Sequence, residues 1–219
     1  WILMSYFREL PNFEYQSPFA NSTGASDFVV AKNVFRRMKL RDDLKNVFTL
    51  FNKYNIDEGE RPDTVAEKEY GKSDLDWVVL LSAGIINVRN EWPLSSRDLY
   101  NYVVEKYGLA EKDFVHHYET KEIRDSQNRL IIPEGNRVDA NFDITFFDNG
   151  TIITKSEISG ITNYEFEMRE NIKKSTINIL RRPYLQQFLR DMKKEMTYKR
   201  SSQFVNNNLI RTENTKLTN

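Results

Sequence analysis

Residues 61–85 read RPDTVAEKEYGKSDLDWVVLLSAGI: a charged half, a glycine, then a half that is almost all apolar. Pro62 suits the first position of a helix, where its fixed φ is already helical and its missing N–H has no intrahelical partner to lose. Asp63 falls in the first turn, at the positive end of the helix dipole. Val65, Ala66 and Tyr70 give that helix one apolar face, and Gly71 is a natural left-handed stop. Ser73 with Asp76 resembles a capping box opening a second helix. Around that helix Leu75, Trp77, Val78, Val79, Leu80 and Leu81 point in every direction, so it must be enclosed on all sides. Gly84 ends it. The preceding NVFTLFNKYNI (46–56) reads as a strand, and INVRNEWPL (86–94) as a return strand. The unit is strand, helix, tight turn, helix, strand.

Outward from this unit the pattern predicts an α+β chain in five parts. Residues 1–44 form an extended N-terminal arm and a short helix over DFVVAKNVFRRMK (27–39). The arm is broken by Pro11, Pro18 and ANSTGAS (20–26) and packs through Tyr6, Phe7, Phe13, Tyr15 and Phe19. The central unit occupies 45–95. Residues 96–160 hold the amphipathic helix SRDLYNYVVEKYG (96–108) and two hairpins. One, over 116–133, turns at Asp125–Asn128; the other, over 143–154, turns at Asn149–Gly150, a favoured type I′ pair. Residues 161–200 read as a charged helix (163–174), a short strand (175–182) and a helix opened by Pro183. Leu185, Phe188, Leu189, Met192 and Met196 make one stripe along that last helix. The Asn- and Thr-rich tail 201–219 has no periodicity and is expected to be flexible.

Composition narrows the function. The longest apolar run, VVLLSAGII (78–86), is about half what a bilayer span needs, so no membrane partner is expected. WILM (1–4) has no basic flank and lacks the plan of a secretory signal. Thirty-two basic residues balance 32 acidic ones, leaving no overall electrostatic footprint for nucleic acid. With no cysteine, thiolate catalysis and Cys-ligated zinc are excluded.

Candidate chemistry is sparse. His116 and His117 are the only histidines, and neighbours on a strand face opposite ways, so a shared metal is not expected. No G-x-S-x-G elbow is present. Glu67 with Glu69, and Glu165 with Glu167, are interspersed with cations as on solvated helix faces. No glycine-rich phosphate loop occurs. No catalytic residue, metal or cofactor is therefore assigned. Aromatic content of 13% is more informative, because Phe, Tyr and Trp make both cores and interface anchors. The expected interface residues are Tyr6, Phe7, Phe13, Tyr15, Phe19, Trp92, Leu185, Phe188 and Leu189.

The 45–95 unit, through Asp63, Thr64, Tyr70, Gly71 and the run Leu75–Leu81, resembles the LysM module, whose members bind N-acetylglucosamine polymers. Over a longer span, 61–108, the chain resembles the small baseplate wedge protein of T-even-like contractile-tailed bacteriophages. The matching positions are Arg61, Pro62, Val65, Ala66, Tyr70, Gly71, Trp77, Val78, Leu80 and Trp92, with looser likeness at Tyr6 to Tyr15 and 163–188. This resemblance implies a structural virion subunit, assembled in the host cytoplasm and present in several copies in a symmetric ring. It would join neighbouring wedges by gripping the large wedge subunit, beside a small sheath-proximal subunit. The alternatives are a peptidoglycan-binding LysM protein and, more distantly, a cell-wall hydrolase targeted by such a module. A single module without linkers or an export signal favours the assembly reading.

Overall fold

The computed structural model describes residues 6–16, 28–36, 38–40 and 49–212. Phe19, the ANSTGAS segment and residues 213–219 of the tail lie outside them. The chain is α+β and divides into two compact units. Unit 1 comprises 1–56, 60–91 and 177–219; unit 2 comprises 57–59 and 92–176.

Unit 1 is built on the opening stretch. Strand β3 (Phe51–Asn55) leads to helix α2 (Pro62–Tyr70), which begins at Pro62. It ends at Gly71, whose φ of 74° lets the N–H turn back to the Glu67 carbonyl. A 3₁₀ turn (Ser73–Leu75) precedes helix α3 (Asp76–Ala83), so the expected capping box does not form. Asp76 itself meets the helix start, its Oδ1 accepting the Trp77 N–H at 2.7 Å. Past α3, Gly84 adopts φ 76°, and the Gly84 and Ile85 amides bond back to the Leu81 and Leu80 carbonyls. That is the pattern of a Schellman stop. Val65, Ala66, Val78 and Val79 are fully buried, while Leu80 and Leu81 are half-buried. The second helix is thus enclosed on most of its surface, but not all round as its composition suggested.

The return strand is not where the sequence placed it. Residues 88–91 form a helical turn, α4 (Val88–Glu91), and the partner of β3 is instead β11 (Thr176–Leu180). Arg181, just after β11, donates its N–H to Leu50, just before β3, at 2.9 Å. The two strands therefore run antiparallel. The 86–94 segment is Asn- and Arg-bearing and contains Pro93, whereas TINIL presents alternating buried Ile177 and Ile179.

The chain ends of unit 1 meet in a second sheet, ordered β12-β13-β1-β2. After the helical turn α1 (Tyr6–Glu9), β1 (Asn12–Gln16) pairs antiparallel with β2 (Phe28–Lys32) and parallel with β13 (Leu209–Arg211). β12 (Phe204–Asn206) completes it. The expected helix over 27–39 is thus a strand, because Phe28 to Lys32 find a partner in β1. The tail as far as Thr212 is paired into the sheet. Helix α7 (Leu185–Met196) buries Leu185, Leu189, Met192 and Met196, so its apolar stripe is covered from within the chain.

Unit 2 packs helix α5 (Ser96–Tyr107) and helix α6 (Asn163–Ser175) with a three-stranded sheet and two hairpins. The sheet order is β10-β4-β7, with β4 (Val115–Thr120) central between β10 (Ile158–Thr162) and β7 (Arg137–Val138). The expected 116–133 hairpin is shorter: β5 (Ile123–Arg124) pairs with β6 (Leu130–Ile132), while β4 belongs to the other sheet. The 143–154 hairpin forms as expected, β8 (Ile144–Asp148) against β9 (Thr151–Lys155), with positive φ at Asn149 and Gly150. Helix α6 opens with a complete capping box between Thr162 and Glu165.

Candidate interaction surfaces

In unit 1 three of the expected residues join one aromatic ladder. Tyr6 lies 5.6 Å from Trp77, and Trp77 stacks on Phe188 at 5.9 Å and 28°. Phe7 meets Tyr6 edge-on at 5.7 Å and remains 63% exposed. The ladder runs from the buried Trp77 of α3 out to a presented ring. Phe13 and Tyr15 share one face of β1, 5.7 Å apart and half-buried. Leu185 and Leu189 lie in the core. Trp92, in unit 2, is also buried.

Sequence reasoning missed two exposed surfaces. The turn after β2 holds Phe35 at 88% exposure, and it is firmly pinned. Arg36 donates to the Glu195 and Thr197 carbonyls at 2.7 and 3.0 Å, and the Asn33 side chain donates to the Tyr198 hydroxyl at 3.0 Å. In unit 2 the β8–β9 hairpin sets Phe147 directly across from Ile152, with 66% and 69% exposure. Its tip is tied down: Asp148 accepts from the Ser126 N–H and hydroxyl, and Asn149 donates to Ser126 Oγ at 2.8 Å. Ser126 sits in a loop that Asp125 organises by accepting from the Gln127 and Arg129 amides. Burial works to raise the Asp125 carboxyl, but these bonds and the Arg129 guanidinium hold it below the usual range. The signal was readable in FFDNGTII, since consecutive aromatics in a strand place one on each face.

Several polar groups of unit 2 are engaged in structural contacts. Lys106 and Tyr107 both donate to Glu167 Oε1, at 2.5 and 2.8 Å. This carboxylate raises the Lys106 ammonium well above its ordinary value. Arg169 donates to Glu119 Oε2 at 2.6 Å, holding the Glu119 carboxyl low, and Glu119 Oε1 lies 3.0 Å from His117 Nε2. The two histidines do not face apart as expected. Register slips at this point, Ile161 opposing His117 and Thr162 opposing Val115, so His116 is the extra residue of a bulge. The bulge brings the two Nδ1 atoms to 2.9 Å while His116 stacks on Phe166 at 4.0 Å. Burial, then the neighbouring His117, lowers the His116 pKa. Among the described residues no group of three or more His, Asp or Glu side chains is placed to hold a metal.

No curated protein matches the chain. The family model described as base plate wedge protein 53 matches residues 5–195, spanning both units. The expectation of a non-enzymatic structural subunit of the phage virion agrees with that match. With most of its length inside the match, the chain belongs to the base plate wedge protein 53 family.

Proposed function

We propose that this protein joins neighbouring wedges of the baseplate by gripping the large wedge subunit, with the aromatic ladder of unit 1 as the grip. The observation that carries the reading is Phe7, an exposed ring supported by Tyr6 and, through it, by the buried Trp77. An aromatic held in one place loses little entropy on docking, and such anchors dominate interface energetics. Phe13 and Tyr15, half-buried on β1, extend the aromatic surface.

The same reading gives unit 1 a LysM-like core in two pieces. β3, α2 and α3 run consecutively, and β11 supplies the antiparallel return strand after the whole of unit 2 has intervened in sequence. A module interrupted in this way is suited to presenting an inserted unit. In the test, purified wild-type chain and Phe7→Ser are titrated onto the large wedge subunit. Loss of a hot-spot aromatic is expected to weaken binding about 30-fold or more, with the melting temperature unchanged. Equal binding by the two proteins contradicts the grip.

A further inference from the structure

The zero net charge of the chain conceals a division. Unit 2 carries 17 carboxylates against 11 lysines and arginines, a balance of −6, and unit 1 carries the other 15 carboxylates and 21 cations, a balance of +6. Each unit also places an excess of one charge near an exposed apolar group. In unit 1 the Arg36 contacts hold Phe35 by the C-terminal end of α7. Lys194, Lys199 and Arg200 are exposed along and just beyond that end, outnumbering the exposed Glu195, and no carboxylate of the described residues pairs with them. In unit 2 Asp139 and Asp143, with Arg137 beside them, line an open cavity of about 730 Å³, and neither carboxylate is in an ion pair among the described residues. Asp143 directly precedes the hairpin that presents Phe147 and Ile152, whose base is closed by Ser156 donating to the Phe142 carbonyl.

We propose that these two patches bind one another between copies of the chain, the basic end of unit 1 in one copy against the acidic hairpin face of unit 2 in the next. A symmetric pairing of like patches would oppose like charges. Between copies a head-to-tail contact matches them, and such contacts close into rings or run on as chains. Phe35 on one side and the Phe147–Ile152 pair on the other supply apolar surface, while the charges set partner and direction. The inference rests on the wedge-joining reading for its place in the particle, naming a second copy as the neighbour across the boundary.

The test is sedimentation of the full chain alone. Self-association should grow with concentration in dilute salt and weaken about tenfold or more when salt shortens the screening length from roughly 10 Å to a few ångströms. Lys194→Glu with Lys199→Glu, and separately Asp139→Lys with Asp143→Lys, should each abolish it. The chain carrying all four changes should associate again, an outcome that misfolding cannot produce. A wild-type chain that stays monomeric in dilute salt, association indifferent to salt, or a fully folded quadruple variant that stays monomeric overturns the proposal. None of these outcomes touches binding of the large wedge subunit through Phe7, so the two readings fail separately.

Discussion

The Tyr70 hydroxyl at the end of α2 donates a 2.8 Å hydrogen bond to the carbonyl of Leu180, 110 residues away at the end of β11. Both groups are buried, and the bond ties the first helix to a strand that arrives only after unit 2 has been traversed. Tyr70→Phe leaves the Leu180 carbonyl without this donor and should cost about 1–2 kcal/mol in denaturant unfolding. Burial raises the Tyr70 pKa above its ordinary value. The folded state therefore keeps a proton that the unfolded chain releases, and stability from this group is lost as pH climbs beyond about 10. The phenylalanine variant should lack that component of the alkaline loss.

The two faces of the opening stretch should respond differently to truncation. Leu75 is 3% exposed, so Leu75→Ala should cost about 2–5 kcal/mol. Leu80, half-buried, should cost less than about 2 kcal/mol on the same change. Equal losses in parallel urea titrations would mean that Leu80 is enclosed as fully as Leu75.

Acid stability should depend on Arg169. Its guanidinium holds the Glu119 carboxyl below the ordinary range, so the contribution is present above the unfolded carboxylate pKa and is lost as pH falls. Arg169→Gln should melt earlier than the parent at neutral pH, and the two melting curves should converge below about pH 3. A difference that persists undiminished in acid would assign the loss to packing of the arginine stem.

Local signals were legible where one segment decides its own structure. Pro62 and Gly71 bound α2, Gly84 stops α3, and Asn149–Gly150 turns the hairpin, each through a backbone preference readable at that residue. Long-range pairing was not. β1 is completed by β13, so the N-terminal segment read as an unpatterned arm although the far end of the chain supplies its ladder. The pairing of β3 with β11 was hidden for the same reason. Removing residues 1–20 would delete the strand that joins β2 to β13, so a single substitution at Phe7 is the cleaner probe of the ladder. Of the expected interface residues, composition could not separate Leu185 and Leu189, which fill the core, from Phe7, which faces solvent. Phe35 escaped because its exposure depends on Arg36 reaching carbonyls some 160 residues away.

The wedge-joining role is most directly tested by electron microscopy of purified wedges incubated with and without this protein at matched concentration. Wedges that carry it should close into symmetric rings, and wedges that lack it should remain separate, with closure restored by adding the purified chain. Rings formed at the same yield without the chain would contradict the account.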